Sequence, residues 1–358
     1  MSLYSIDIEN FRGIPNLKIS DFKKINLLVG KNNCGKTSVL EAIFLSIGVS
    51  NPQLAINIDN FRGILHDEKD DFHFIFHNLD TTKRIEINTR FLSPSQYRKL
   101  FIKPIYQYQD INIELNQTSE ISASSTLPTE KRISGINLEF SVKTIPKAKD
   151  KFQRASIEFK PGGLQVKQAK GYFEKYLGVF LNTMIMAQEL YTRLDKIIQK
   201  KAEKKLIKTL NVIDPRIIGI SLGSKNMIYF DLGLERLIPI QLMGDGVSRL
   251  LSILVTIANY ENGIVLIDEI ENGFHATTLD LLWNSIKDAA LAYNVQIFAT
   301  THSLECVKTF SSALSSYLLG DELIRLYRLE RSIANKFKTL KYNSEILQSS
   351  LESNWEIR

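Results

Sequence analysis

Gly30-Lys31-Asn32-Asn33-Cys34-Gly35-Lys36-Thr37 is a complete G-x-x-x-x-G-K-[ST] loop, and no other stretch limits the fold as tightly. Ahead of it, Lys24-Ile25-Asn26-Leu27-Leu28-Val29 reads as a buried strand; residues 38–44 after it read as a helix with an apolar face. Strand, glycine loop and helix in this order turn backbone N–H groups and a helix N-terminus toward one point, which makes an anion site. Lys36 can reach β- and γ-phosphates and the Thr37 hydroxyl can hold Mg²⁺, while Gly30, Asn32, Asn33, Cys34, Gly35 and Ser38 complete the cradle. A chance match in a glycine turn is the competing reading, and both flanks argue against it. The implied ligand is a nucleoside triphosphate.

The chain's 358 residues leave room for one large domain with an insertion, or for two domains. No apolar run approaches the ~20 residues that cross a bilayer, and Met1-Ser2-Leu3-Tyr4-Ser5-Ile6-Asp7 lacks the regions of a signal peptide. Two cysteines, Cys34 and Cys306, make neither a disulfide framework nor a metal cluster, so a cytoplasmic protein away from membranes is expected. A net charge of +6 permits a polyanion partner without demanding one.

Residues 3–8 alternate as a half-buried strand with Leu17-Lys18-Ile19 as its hairpin partner. Residues 72–76, 84–91 and 136–142 read as short strands of an antiparallel sheet, with His73 and His77 on its solvent face rather than in a metal site. The Ser/Thr/Asn/Gln-rich stretch 116–132 reads as a surface loop. Residues 169–212 turn helical, with Lys196, Lys200, Lys204 and Lys208 four apart on one face. Segments 217–222 and 227–232 resemble a hairpin, and 244–330 alternates helix and strand as a parallel α/β sheet does. The expected organisation is an α/β ATPase core from 1–60 and 213–340, an inserted β-rich region 61–168, a helical subdomain 169–212 and a C-terminal helix and tail 341–358.

Ile264-Val265-Leu266-Ile267-Asp268-Glu269 is a buried strand that ends in two carboxylates. This places Asp268 on the Mg²⁺ shell and Glu269 where it can polarise a water attacking the γ-phosphate. Residues 295–303 form a second buried strand, which ends in His302, a candidate γ-phosphate sensor near Glu269. Gly244-Asp245-Gly246 opens a long apolar helix as a second anion-binding terminus, with Ser248 and Arg249 as further donors.

In this order, phosphate loop, late glycine turn, Leu-Ile-Asp-Glu and Thr-His-Ser resemble the ABC-type ATPase heads of the SMC/RecF group. The nearer likeness is to OLD-family ATPases, carried by Asn10-Phe11-Arg12-Gly13-Ile14, by the Gly244 turn as signature, and by Glu269-Ile270-Glu271-Asn272-Gly273-Phe274-His275. The resemblance implies a mixed, mostly parallel P-loop head with ATP and Mg²⁺ as ligands, and adds Arg12 to the nucleotide contacts. It also implies a homodimer or higher oligomer, in which the signature of one subunit caps the γ-phosphate of another and Glu271, Asn272 and His275 face the interface. Gln188 is the candidate glutamine-loop residue, against a plain surface glutamine. Met243 stands where the wider family has a signature serine.

OLD-type nucleases carry a metal nuclease domain after the ATPase, and this sequence shows none. The expectation is therefore an ATPase that regulates a separately encoded effector, a nuclease, in defence against phage or other foreign DNA. A RecF-like clamp on double-stranded DNA is the alternative, with the lysine face either a phosphate contact or a solvated helix side interrupted by Asp195 and Glu203. An ATP-binding scaffold without turnover is the third reading.

Overall fold

The computed structural model describes residues 2–64, 71–93, 95–110, 129–181, 186–315 and 323–353. Three fully buried, mostly apolar strands form its centre: β3 (Ile25–Val29), β13 (Ile264–Ile267) and β14 (Gln296–Thr300). Such strands need cover on both faces, as parallel sheets require. They lie in a six-stranded sheet with β9 (Gly178–Leu181), β15 (Ile324–Arg331) and β16 (Phe337–Tyr342), ordered β16-β15-β3-β14-β13-β9. All its pairings are parallel except β15 with the edge strand β16.

Alternation along β3 sorts the two cores. Ile25, Leu27 and Val29 pack among residues of α5 (Asp245–Asn259), α6 (Leu279–Ala292) and α7 (Leu304–Ser315). Leu28 packs with α1 (Lys36–Ile47) and a second sheet. That sheet is antiparallel and seven-stranded, ordered β2-β1-β4-β5-β6-β7-β8, with β1 (Ser2–Phe11), β2 (Ile14–Ser20), β4 (Ile85–Ser93), β5 (Gln96–Asp110), β6 (Thr129–Lys143), β7 (Gln153–Lys160) and β8 (Gly163–Lys167). The expected β1–β2 hairpin is present, and the N-terminal strands and the inserted β region share one sheet.

Arg98 of β5 joins that sheet to the end of α1. Its guanidinium is buried, donates to the carbonyls of Ser46 (3.2 Å) and Ile47 (2.7 Å), pairs with Glu174 (2.9 Å) and lies over Tyr176. It satisfies carbonyls that a helix C-terminus leaves without intrahelical partners. On the other edge, the buried amide of Gln296 bonds both backbone groups of Leu3, tying β1 to β14.

The 217–232 hairpin is present as β10 (Gly219–Leu222) and β11 (Ile228–Asp231), joined by β12 (Ile238–Pro239). A strand pair and the helix α8 (Ser344–Glu352), capped by the Asn343 side chain on the Ile346 N–H, come last among the described elements. Elsewhere the expectations fail. Residues 72–76 are not a strand: Asp71–Ile75 is a 3₁₀ helix, and Phe76 makes one bridge to Phe11. Phe72, Ile75 and Phe76 are buried while Phe74 is exposed, a helical rather than an alternating spacing. His77 is buried, with Nδ1 2.8 Å from the Arg12 carbonyl, and is no solvent-face residue.

The stretch expected to be helical from 169 opens with β9, the edge strand beside β13. Helix follows in two pieces, α3 (Met186–Gln199) and α4 (Glu203–Leu210), broken where Lys201 takes a positive φ of 54°. The lysines therefore do not share one continuous helix face. Of the expected 116–132 loop, residues 116–128 lie outside the described residues and 129–132 belong to β6.

Candidate nucleotide-binding site

Four strand ends and one loop converge at the C-terminal edge of the six-stranded sheet. The loop between β3 and α1 needs glycine at both ends: Gly30 has φ 140° and Gly35 φ 89°. A Cβ on Gly30 would lie 2.3 Å from the Leu329 carbonyl oxygen of neighbouring β15, so no side chain fits there. Lys36 is buried and its ammonium is held by the loop itself, donating to the carbonyls of Gly30 (2.7 Å) and Lys31 (3.1 Å). Burial lowers its pKa, against the pull of Cys34, Asp268 and Glu269.

The Thr37 hydroxyl lies 3.1 Å from both carboxylate oxygens of Asp268, and Thr300 Oγ1 donates to the same carboxylate at 2.6 Å. Burial pushes the Asp268 carboxyl up, while hydrogen bonds from Thr300 and Thr37 pull it back. A hydroxyl and a carboxylate aimed at each other are hard oxygen donors, the set Mg²⁺ takes beside a phosphate. Thr37 and Asp268 thus fit the expected ion. No group of three or more His, Cys, Asp or Glu among the described residues makes a separate metal site.

Glu269 sits at the end of β13 with φ 48°, a left-handed conformation rare for glutamate and typical of active sites. Its N–H donates to Thr300 Oγ1 (2.8 Å), and its carboxylate accepts from Asn272 Nδ2 (2.7 Å). His302 bridges the two halves of the site, with Nε2 3.6 Å from Glu269 and Nδ1 3.3 Å from Lys36 Nζ. Glu271 accepts the His302 backbone N–H at 2.7 Å, which fixes where the imidazole starts. Glu271 and Asn272 thus contact His302 and Glu269 of their own chain. His275 is exposed and caps the turn at Ala276–Thr278.

Arg12 lines the cavity, its guanidinium held by Glu41 (3.1 Å), Asp59 (2.5 Å) and the Phe74 carbonyl (3.0 Å). A second arginine, Arg62, binds the other oxygen of Glu41 at 2.6 Å and reaches toward Ser38 Oγ. Sequence reasoning passed over it, although Asn60-Phe61-Arg62-Gly63-Ile64 repeats Asn10-Phe11-Arg12-Gly13-Ile14 residue for residue. Thr300 was missed as well, because its role depends on β14 lying beside β13. Cys34 is buried under the loop, so its thiol faces the core and burial raises its pKa.

Gly30 lies behind the loop, and Asn32, Asn33, Gly35, Lys36, Thr37, Ser38, Glu269 and His302 surround a cavity of about 660 Å³ that Phe74, Leu79 and Phe337 extend with apolar surface. The Gly244 turn does not reach it. Gly244 and Asp245 are exposed at the start of α5, and Asp245, Ser248 and Arg249 line another cavity with Asn272. Arg249, expected as a further donor at the Gly244 turn, is buried and donates to the Asp268 carbonyl of its own chain (3.2 Å), with its pKa lowered by burial to about 10. Gln188 belongs to α3, but its side chain lies outside the described residues.

Residues 25–307 match a family model described as "AAA domain, putative AbiEii toxin, Type IV TA system". An "ATP/GTP phosphatase" of Helicobacter pylori is 26% identical over 343 residues, covering 87% of this chain and 88% of that protein. The "DNA replication and repair protein RecF" of Shewanella oneidensis is 49% identical over 51 residues, 14% of each chain. Among solved structures, an SMC head bound to the C-terminal winged-helix domain of ScpA aligns over 98% of this chain and 100% of its own, with 11% identity and a TM-score of 0.48.

Proposed function

Because the chain belongs to the AAA-domain family that its residues 25–307 match, we propose that it is an ATPase of the SMC/RecF type that closes into a homodimer on ATP and so governs a separately encoded effector. The convergence of Lys36, Thr37, Glu269 and His302 on one cavity, with Asp268 behind Thr37, carries this reading. Lys36 and the loop amides bind the phosphates, and Arg12 and Arg62 line the same cavity as donors held in place by Glu41 and Asp59. Glu269, oriented by Asn272 and Thr300, accepts a proton from the attacking water, and His302 links that carboxylate to the lysine side of the cavity. Mg²⁺, held by Thr37 and Asp268, neutralises phosphate charge when bound.

The exposed Gly244-Asp245 turn supports the dimer, since α5 presents an anion-binding N-terminus away from its own phosphate loop. A second copy offers it a γ-phosphate. The family's description names a putative toxin of a type IV TA system, a setting in which an ATPase works beside a second gene product. With the OLD-like motifs, we read that effector as a nuclease and the role as defence against foreign DNA in the cytoplasm.

The test uses phosphate release and sizing with ATP. Lys36→Ala and Gly246→Trp each abolish turnover alone. Mixed together they regain roughly a quarter of wild-type activity, through heterodimers with one intact composite site. No recovery on mixing refutes the shared site. Equal, background rates for wild type and Glu269→Gln would make the chain a scaffold, and purification from its host without a bound nuclease would remove the effector reading.

A further inference from the structure

Leu79 is held in a backbone conformation that leucine avoids. Its φ of 59° is left-handed, as is the 51° of Asn78 before it. Asparagine enters that region readily, whereas a leucine Cβ there crowds the following carbonyl oxygen. A turn at such a place ordinarily carries Gly or Asn. The Leu79 side chain is 55% exposed, so burial in a core is not what selects it.

The surroundings fix this strain in place, as strained residues at functional sites require. Arg12 N donates to the Ile75 carbonyl (2.9 Å), its guanidinium donates to the Phe74 carbonyl (3.0 Å), and His77 Nδ1 lies 2.8 Å from the Arg12 carbonyl. Leu79 N donates to the Phe76 carbonyl (3.2 Å) and Asp80 N to the His77 carbonyl (3.0 Å), while the Asp80 side chain accepts from Thr82 N (3.0 Å). Residues 71–80 are thereby fastened to the β1–β2 turn, which also carries Arg12. Phe74 stands exposed on the outer side of its 3₁₀ helix, and Phe74 and Leu79 both line the apolar end of the phosphate cavity. Single exposed apolar residues need no explanation. Two at one end of a cavity, one of them held against its backbone preference, do. Lys36 and Thr37 set where phosphates bind, so the rest of a nucleotide runs along the cavity away from them, and about 660 Å³ has room for it.

We propose that Phe74 and Leu79 form the nucleobase subsite: the base lies against the Phe74 ring and Leu79 closes over it. Every base has a face that can stack on an aromatic ring, so this subsite adds affinity for a nucleoside without reading base edges. The proposal rests on the nucleotide reading of the same cavity. It adds the residues by which the chain tells a nucleotide from a bare triphosphate.

The experiment is isothermal titration of the full chain, with Mg²⁺, by AMP-PNP and by inorganic tripolyphosphate, beside thermal melting of each variant. Wild type binds AMP-PNP at least about tenfold more tightly than tripolyphosphate. Phe74→Ala and Leu79→Gly each weaken AMP-PNP at least about fivefold and leave tripolyphosphate within about twofold. Leu79→Gly also keeps or raises the Tm, because glycine takes a left-handed φ without strain. Leu79→Ala keeps the strain, loses the same contact and weakens AMP-PNP equally. A Tm lower for Leu79→Gly than for Leu79→Ala would make Leu79 a packing residue and overturn the inference. AMP-PNP losses matched by tripolyphosphate losses overturn it too, as does AMP-PNP binding that neither position changes. A wild type that binds neither probe refutes the nucleotide reading and this inference with it, and the failure of tripolyphosphate tells that result from the others.

Discussion

At the scale of single residues, the site stores charge where water is scarce, and this makes a prediction about pH. The Asp268 pKa is raised in the folded chain, mainly by burial. Between the ordinary carboxylate value and that raised value, the folded state holds more proton than the unfolded one, so stability falls as pH rises through this window. Asp268→Asn removes the cost and keeps an acceptor for Thr300. It should raise the apo Tm at pH 7 by about 2–4 °C, the size of ~1 kcal/mol in a domain this large, with no gain below pH ~3.5 and with ATP hydrolysis lost. A Tm gain that persists undiminished at low pH would contradict this origin. Asn272→Ala removes the amide that holds Glu269. It should lower kcat roughly tenfold, about 1.4 kcal/mol, and leave KM within about twofold.

At the scale of elements, legibility followed locality. The β3–loop–α1 unit and the Asp268-Glu269 strand end could be read because each motif occupies one continuous stretch. The Phe72–Phe76 alternation misled because aromatic residues at every second position also suit a 3₁₀ turn whose Phe72, Ile75 and Phe76 face inward. β9 escaped notice because four residues, Gly178–Leu181, carry too little pattern to stand out from the helical spacing that follows. Its place depends on Ile47 of α1, whose side chain lies 2.9 Å from any Cβ added at Gly178. The Arg249 direction was equally hidden, since only packing of α5 against β13 decides whether that residue faces water or the Asp268 carbonyl. The same strand-to-strand closeness makes Gly30 indispensable. Gly30→Ala should cost about 3 kcal/mol by urea denaturation, because its methyl meets the Leu329 carbonyl of β15 rather than a side chain that can turn away. A variant that unfolds at the wild-type midpoint would show that β3 and β15 can part cheaply.

At the scale of the whole molecule, two sheets share one helix. α1 begins at Lys36 in the phosphate loop and ends at Ile47 under the Arg98 guanidinium. Arg98→Leu takes the cationic partner from Glu174 and leaves the Ser46 and Ile47 carbonyls without its guanidinium, so a loss of about 3–5 kcal/mol in global stability is expected by denaturation. Twelve helical residues make a rod about 18 Å long. A rod fixed at both ends couples them, so phosphate bound at Lys36 is expected to be felt at β5. Amide exchange in β4 and β5 should slow when ATP binds, and should cease to respond in a chain whose Arg98 is replaced by lysine, which reaches a carbonyl without forking to both partners.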